Sequence, residues 1–355
     1  PIVDRLGEEG VAFKTAYAQS ICGPSRAMLY SGTYAATNGA YDNKVYYDPT
    51  KKGNDKDKYA NFIRVLHDAG YKTAVSGKWH NPIGGTLGVD NALLGVDQYM
   101  VYNSQPQSVK KITGDVLTPD ENWEIAAISK QPILSRYWKP AYVKDGKVLK
   151  TSMNDYGPDL LSDYICDFIK DNAKSEQPFL AFYPMVLAHS SHCVTPIDVA
   201  EGMEKSNKHY KHSSEIGTKI FKNQIKYADN LVEKILKTLK EQEIEDNTIV
   251  IFTSDNGTTS SAKSKGVEYG VHIPFMVKGP GIKKRGLTDE LIDFSDVLPT
   301  LAEFAGTTVP SKYKVDGKSV VPFLTGKSDK TKETIYAQPG LASIVRTKEY
   351  LLEAV

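Results

Sequence analysis

Two apolar runs limit what this chain can fold into. After Pro178 the sequence stays hydrophobic from Phe179 to Leu187, and a second run, Thr248 to Thr253, is β-branched and apolar. A strand without polar alternation is covered on both faces, so these runs predict a mostly parallel central sheet sandwiched by helices. Each run ends abruptly in polar residues: Ala188-His189-Ser190-Ser191-His192 after the first, Ser254-Asp255-Asn256-Gly257 after the second. Open α/β sheets bind their ligands at the carboxyl ends of strands, which makes these two ends the first places to look for chemistry.

Helical patterns fill the intervals. Pro158 opens a helix with the stripe Leu161, Ile165 and Phe168, and Ile225, Ala228, Val232, Ile235 and Leu239 mark the clearest long helix, with Lys and Glu on its outer side. Ile2, Val3 and Leu6 share a helical spacing that ends at Gly10 and gives way to a strand, Val11 to Ala18. Phe62, Ile63, Val65 and Leu66 belong to a helix closed by Gly70, before a strand from Tyr71 to Ser76; Phe275 to Lys278 is a further strand. Residues 81 to 150 are rich in Gly, Pro, Asn and Lys and show no long periodic element, as expected of loops that shape a cleft. Their neighbourhood carries Tyr99, Tyr102, Trp123, Tyr137 and Trp138, rings that fit the wall of a sugar site and a packed core equally well.

Cys22-Gly23-Pro24-Ser25-Arg26 is the most specific local string. Pro24 suits the first turn of a helix, with Gly23 or Ser25 as the expected cap and Gly32 as the expected stop. Cys22 then lies where unpaired N–H groups and the positive end of the helix dipole gather, a place for an anion. A cysteine there, with Arg26 one turn along, suits a low-pKa thiolate, a ligand, or the precursor of a modified residue. Gly77-Lys78-Trp79-His80 sets two more polar groups at a strand end, and Asp255 with Asn256 can offer hard oxygen ligands to Ca²⁺ or Mg²⁺.

Charge narrows the partners. With 44 basic and 43 acidic residues the net charge is +1, which points to neither nucleic acid nor an anionic membrane surface, so any selectivity for anions is local. No apolar run approaches the length of a membrane span. Cys22, Cys166 and Cys193 make neither a disulfide framework nor a zinc spacing, and the last two read as unpaired.

The Cys-x-Pro-Ser-Arg string, continued by Leu29 and Ser31-Gly32, resembles the signature of the type I, formylglycine-dependent sulfatases of the alkaline phosphatase-like superfamily. Gly77-Lys78-Trp79-His80, Leu94-Gly95-Val96-Asp97, Thr253-Ser254-Asp255-Asn256-Gly257 and Glu268-Tyr269-Gly270-Val271-His272-Ile273-Pro274 resemble further family segments in family order. The resemblance implies a sulfatase-like catalytic α/β domain over residues 1–328 and the beginning of a small antiparallel C-terminal subdomain over 329–355. It also implies that the family's first strand, with an Asp-Asp metal pair, falls before Pro1, so the chain reads as cut at both ends.

The same resemblance implies the chemistry. Cys22 would be oxidised to formylglycine, whose hydrate attacks sulfur with one geminal hydroxyl and releases sulfate through the other. Asp255, Asn256 and the residue at position 22 would hold the cation, Ca²⁺ rather than Mg²⁺. Lys78 and Lys263 would neutralise the sulfuryl oxygens, Arg26 would hold the hydrate, His80 would take the proton during elimination, and His189 would protonate the leaving oxygen. The implied partners are a sulfated small molecule or glycan and a formylglycine-generating maturation enzyme, in the periplasm or outside the cell. Two other readings stay open: a phosphate or phosphonate monoesterase of the same superfamily, and an inactive glycan-binding relative.

Overall fold

The computed structural model describes residues 1–43, 57–81, 84, 86–103, 106–117, 124–125, 132–189, 192–258, 262–340 and 342–354. Two mixed sheets and helices on both their faces make the expected layered α/β architecture. One sheet runs Gly286–Asp293, Val11–Tyr17, His272–Lys278, Val250–Thr253, with the first pair parallel and the rest antiparallel. The other runs Lys147–Val148, Tyr142–Lys144, Gln98–Tyr102, Lys72–Lys78, Phe179–Phe182, parallel on both sides of Lys72–Lys78 and antiparallel beyond Gln98–Tyr102.

Alternation along the strands divides the core. Val75 and Val101 face a layer built from Met28, Leu29 and Tyr30 of the Cys22–Ser31 helix, Phe62 and Ile63 of the Phe62–Asp68 helix, and Val297 and Leu298 of the Val297–Phe304 helix. Ala74, Met100 and Tyr102 face the other way, onto Leu161, Tyr164 and Phe168 of the Gly157–Asn172 helix. The end strands of the two sheets share one apolar cover: Phe179 and Ala181 from one and Val250 from the other pack against Ile165, Ile169 and Leu239. The last of these belongs to the long Glu215–Glu241 helix that the 3.6-residue pattern predicts.

Ile335–Ala337, Ser343–Arg346 and Leu351–Ala354 form a separate antiparallel sheet in sequence order. Ile335, Ala337 and Ile344 close it onto Tyr17, Val271 and Leu291. A buried charge cluster reinforces the join, with Lys332 Nζ 2.9 Å from Asp293 Oδ2 and 2.7 Å from Asp296 Oδ2.

Three local expectations change. The strand after Pro178 stops at Phe182 rather than Leu187, because Pro184 has no N–H to continue a ladder. Its carbonyl still accepts from Lys78 N at 2.8 Å, an approach that needs Gly77, whose φ is 134° and where a Cβ would stand 2.1 Å from that oxygen. Second, neither Gly23 nor Ser25 caps the Cys22–Ser31 helix: extended Ile21 is the N-cap, Asn43 Oδ1 accepts from Gly23 N at 2.9 Å, and Ser25 Oγ bonds back to Gln19. The stop at Gly32 is as expected, with φ 66° and its N–H on Met28 O. Third, Gln98–Tyr102 is a sheet strand inside the stretch that shows no period.

Candidate active site

The residues singled out from sequence meet in one place. Cys22 heads a helix all ten of whose residues are buried, and its side chain is 4% exposed. Lys78 ends its strand, and His80 stands two residues beyond it, within hydrogen-bond reach of the Cys22 thiol. Arg26, one turn along the helix from Cys22, donates through Nε and Nη2 to Asp255 Oδ2 at 3.1 and 2.9 Å, and through Nη1 to Lys78 O at 3.0 Å. Asp255 follows the Val250–Thr253 strand, so this one guanidinium joins the ends of strands from both sheets. On the other side, Lys263 Nζ lies 3.1 Å from His189 Nε2.

The electrostatics of the cluster follow from burial set against many cations. Burial pushes the Cys22 thiol up, but Lys78 and the His80 hydrogen bond outweigh it against Asp255, and the thiol falls from 9.0 to about 5. Burial likewise opposes charge on Asp255, yet Arg26, Lys78 and Lys263 hold its carboxyl below the usual range. The Lys78 ammonium is lowered, chiefly by burial; Cys22 and Asp255 support its charge while Arg26 and Arg136 oppose it. Such a pocket is short of negative charge and suits a tetrahedral oxyanion delivered onto the residue at position 22.

Asp255 and Asn256 fit a hard divalent cation by their donor chemistry. Asn256 Oδ1 is buried and has no hydrogen-bond partner among the described residues, while its Nδ2 is occupied by Gly257 O at 2.7 Å. An orphaned amide oxygen beside a carboxylate is what a cation needs from part of its shell. No cluster of three or more His, Cys, Asp or Glu residues able to hold a metal occurs among the described residues.

His192 does not join the site: it is buried, with Nδ1 3.0 Å from Gln224 Oε1 of the long helix and its ring beside His212 and Phe221. Tyr99, Tyr102, Tyr137 and Trp138 are core residues, each no more than 5% exposed, and Trp123 lies outside the described residues. Sequence reasoning gave no individual role to two neighbours of the clustered groups. Asn43 Nδ2 is 3.5 Å from Cys22 Sγ, and Arg136 Nη1 is 3.2 Å from His189 Nδ1. The available signal for Arg136 was a guanidinium next to Tyr137 and Trp138 and close to Tyr142, rings that can cover it.

Comparison with known proteins agrees with this geometry. The chain is 28% identical over 399 residues to a sulfatase of Formosa agariphila, covering 97% of this chain and 70% of that protein. It is 27% identical to an ulvan-active sulfatase of the same organism and 26% identical to the N-acetylglucosamine-6-sulfatase of Homo sapiens, spanning 57% and 60% of their lengths. The crystal structure of Ps i-CgsB superposes with a TM-score of 0.75 at 23% identity, covering all of this chain and 78% of that one, which shows the shared fold. No helix among the described residues is long and apolar enough to cross a membrane. The sulfatase family model runs from residue 1 to residue 307, through both sheets and every residue of the cluster, and the chain belongs to the sulfatase family.

Proposed function

We propose that this chain carries the catalytic centre of a sulfuric ester hydrolase acting on a sulfated carbohydrate, with residues 1–328 as the catalytic domain and 329–355 as the start of a small C-terminal subdomain. The observation that carries the reading is the meeting of Cys22, at a helix N-terminus, with Lys78, Lys263, Arg26 and a histidine on each side. The glycan preference draws on relatives named for ulvan and for N-acetylglucosamine 6-sulfate, and on the fold shared with a protein crystallised with k-i-k-neocarrahexaose.

Converted to formylglycine by a maturation enzyme, residue 22 would supply two geminal hydroxyls, one to attack sulfur and one to drive release. Asp255 and Asn256 would hold a divalent cation, Ca²⁺ in preference to Mg²⁺, which supplies positive charge to the sulfuryl oxygens. Lys78 and Lys263 pair with those oxygens from opposite sides. Arg26 anchors the floor of the site, and its grip on both Asp255 and the Lys78 carbonyl keeps the two strand ends in register. His80, against residue 22, is the base for that residue's proton. His189, on the Lys263 side, faces the leaving oxygen. The periplasmic or secreted location rests on the family.

The test is inorganic sulfate release from sulfated saccharides by protein co-produced with a formylglycine-generating enzyme, with peptide mass spectrometry at residue 22. Sulfate release with residue 22 as aldehyde supports the reading. Faster turnover of a matched aryl phosphate would make the protein a phosphate monoesterase, and saccharide binding without turnover would make it a glycan-binding relative. Sulfate release by protein whose Cys22 is unmodified would overturn the mechanism.

A further inference from the structure

The helix that carries Cys22 starts without a cap of its own. Its N-cap, Ile21, has no side-chain acceptor, and Ser25 Oγ is turned back to Gln19. One of the leading N–H groups, that of Gly23, is satisfied from outside by Asn43 Oδ1 at 2.9 Å.

That bond fixes which end of the Asn43 amide faces residue 22. With the amide turned over, its NH₂ group would meet the Gly23 N–H, donor against donor. Nδ2 is therefore the end presented to Cys22, and it lies 3.5 Å from Sγ, nearer than Oδ1 at 3.9 Å. The amide is supported from behind, because Asn43 ends a loop that folds back along the helix. Asn38 Nδ2 donates to Thr33 O and Asn38 Oδ1 accepts from Ala40 N, both at 2.8 Å, and the fully buried Ala40 packs on Ala27 of the helix. Gly23 leaves the room: a Cβ there would stand 2.5 Å from Asn43 Oδ1, and since that atom is the tip of a side chain, Asn43 and not the helix would give way.

We propose that Asn43 is a positioning residue for position 22, on the reading of that residue as the nucleophile: Oδ1 grips the start of the helix while Nδ2 donates to the atom carried on the Cβ of residue 22, sulfur as translated and oxygen after conversion. Oxygen is the stronger acceptor of the two, so the hold tightens on conversion. A donor fixed there limits rotation about the Cα–Cβ bond, which sets the attacking atom in place before the ester arrives.

The direct test is the side-chain amide spectrum of Asn43 in unmodified full-length protein labelled with ¹⁵N-asparagine, with Asn43→Ala used to assign the two Nδ2 protons. Cys22→Ala removes the acceptor and should shift one proton of the pair far more than the other. Equal shifts, or none, overturn the proposal whether or not any Asn43 variant folds. In the mature enzyme Asn43→Ala should lower kcat by about 10²-fold on sugar and nitrophenyl sulfates alike, because the effect is on residue 22 and not on the leaving oxygen, with little change in KM. Gly23→Ala, which displaces Asn43, should cost a similar factor alone and little more when added to Asn43→Ala. An unchanged kcat in folded Asn43→Ala leaves Asn43 a helix cap only and overturns the proposal, and so does a Gly23→Ala loss that is just as large in the Asn43→Ala background. Failure of the unsubstituted mature protein to release sulfate would overturn the proposed function, while the spectra still decide whether Asn43 holds residue 22.

Discussion

Unmodified protein carries a thiol at position 22, and that thiol reports the field of the site before any turnover. Its fall from 9.0 to about 5 means that the pocket favours the thiolate over the thiol by roughly 5 kcal/mol. The folded state gives up this proton more readily than the unfolded chain does, so stability from this group is lost as pH falls through about 5 and is complete only above about 9. At pH 7 it amounts to roughly 3 kcal/mol. The assay is the pH titration of thiolate ultraviolet absorbance, taken as the difference between the unmodified protein and Cys22→Ser. A midpoint near 5 is expected, rising clearly in Lys78→Met, because Lys78 is the largest influence favouring the thiolate. The same pair compared by urea unfolding should show the advantage of Cys22 over Ser growing from pH 5 to pH 8. A midpoint of 8 or above, or one indifferent to Lys78, would refute the account of the pocket as a site that concentrates positive charge on residue 22.

Other consequences can be measured separately. His189→Ala should slow hydrolysis of a sugar sulfate by about 10²–10⁴-fold and that of an activated aryl sulfate far less, while His192→Ala, directed at Gln224, should do little to either. Asn256→Ala removes the buried amide oxygen that lacks a partner, so calorimetric Ca²⁺ affinity of the mature enzyme should drop with little change in melting temperature; unchanged affinity would remove Asn256 from the ligand set. Lys332→Met strands two fully buried carboxylates and should cost about 3–5 kcal/mol in urea unfolding. Burial and Asp293 already raise Asp296 to about 7, so that loss should shrink as pH falls below 7 and the carboxyl takes up a proton.

How much of this could be read from the chain alone depended on whether the signal was local. A helix beside Cys22 and its stop at Gly32 are written in Pro24 and in a left-handed glycine; the stop is where the pattern puts it, while the start comes earlier than a cap at Gly23 or Ser25 would give. Asp255 was legible because an apolar strand delivers the residues after it to the sheet rim, and Lys78 because it ends a strand that follows an amphipathic helix. Gln98–Tyr102 was not, since a five-residue apolar segment between glycine-rich stretches fits strand and helix equally. The early end of the strand at Phe182 was hidden because Tyr183 to Leu187 stays apolar while Pro184 breaks the ladder. Arg136 escaped for a different reason: its contact with His189 spans 53 residues, and no periodicity carries that information. The helix cap was misplaced because the acceptor is supplied by Asn43, twenty residues away in sequence from the Gly23 N–H that it satisfies.

The burial of Cys22 sets an order of events. An enzyme can act on a side chain only once that side chain and the backbone around it are accessible. Here that backbone forms the first turns of a helix wedged into the core, with only 4% of Cys22 open to solvent. Opening them for modification would mean pulling Met28, Leu29 and Tyr30 out of the main apolar layer, which is global unfolding in all but name. If residue 22 is converted to an aldehyde as proposed, the conversion belongs to the interval between synthesis and closure of the domain. A chain that folds unmodified would keep its thiol for as long as the fold lasts.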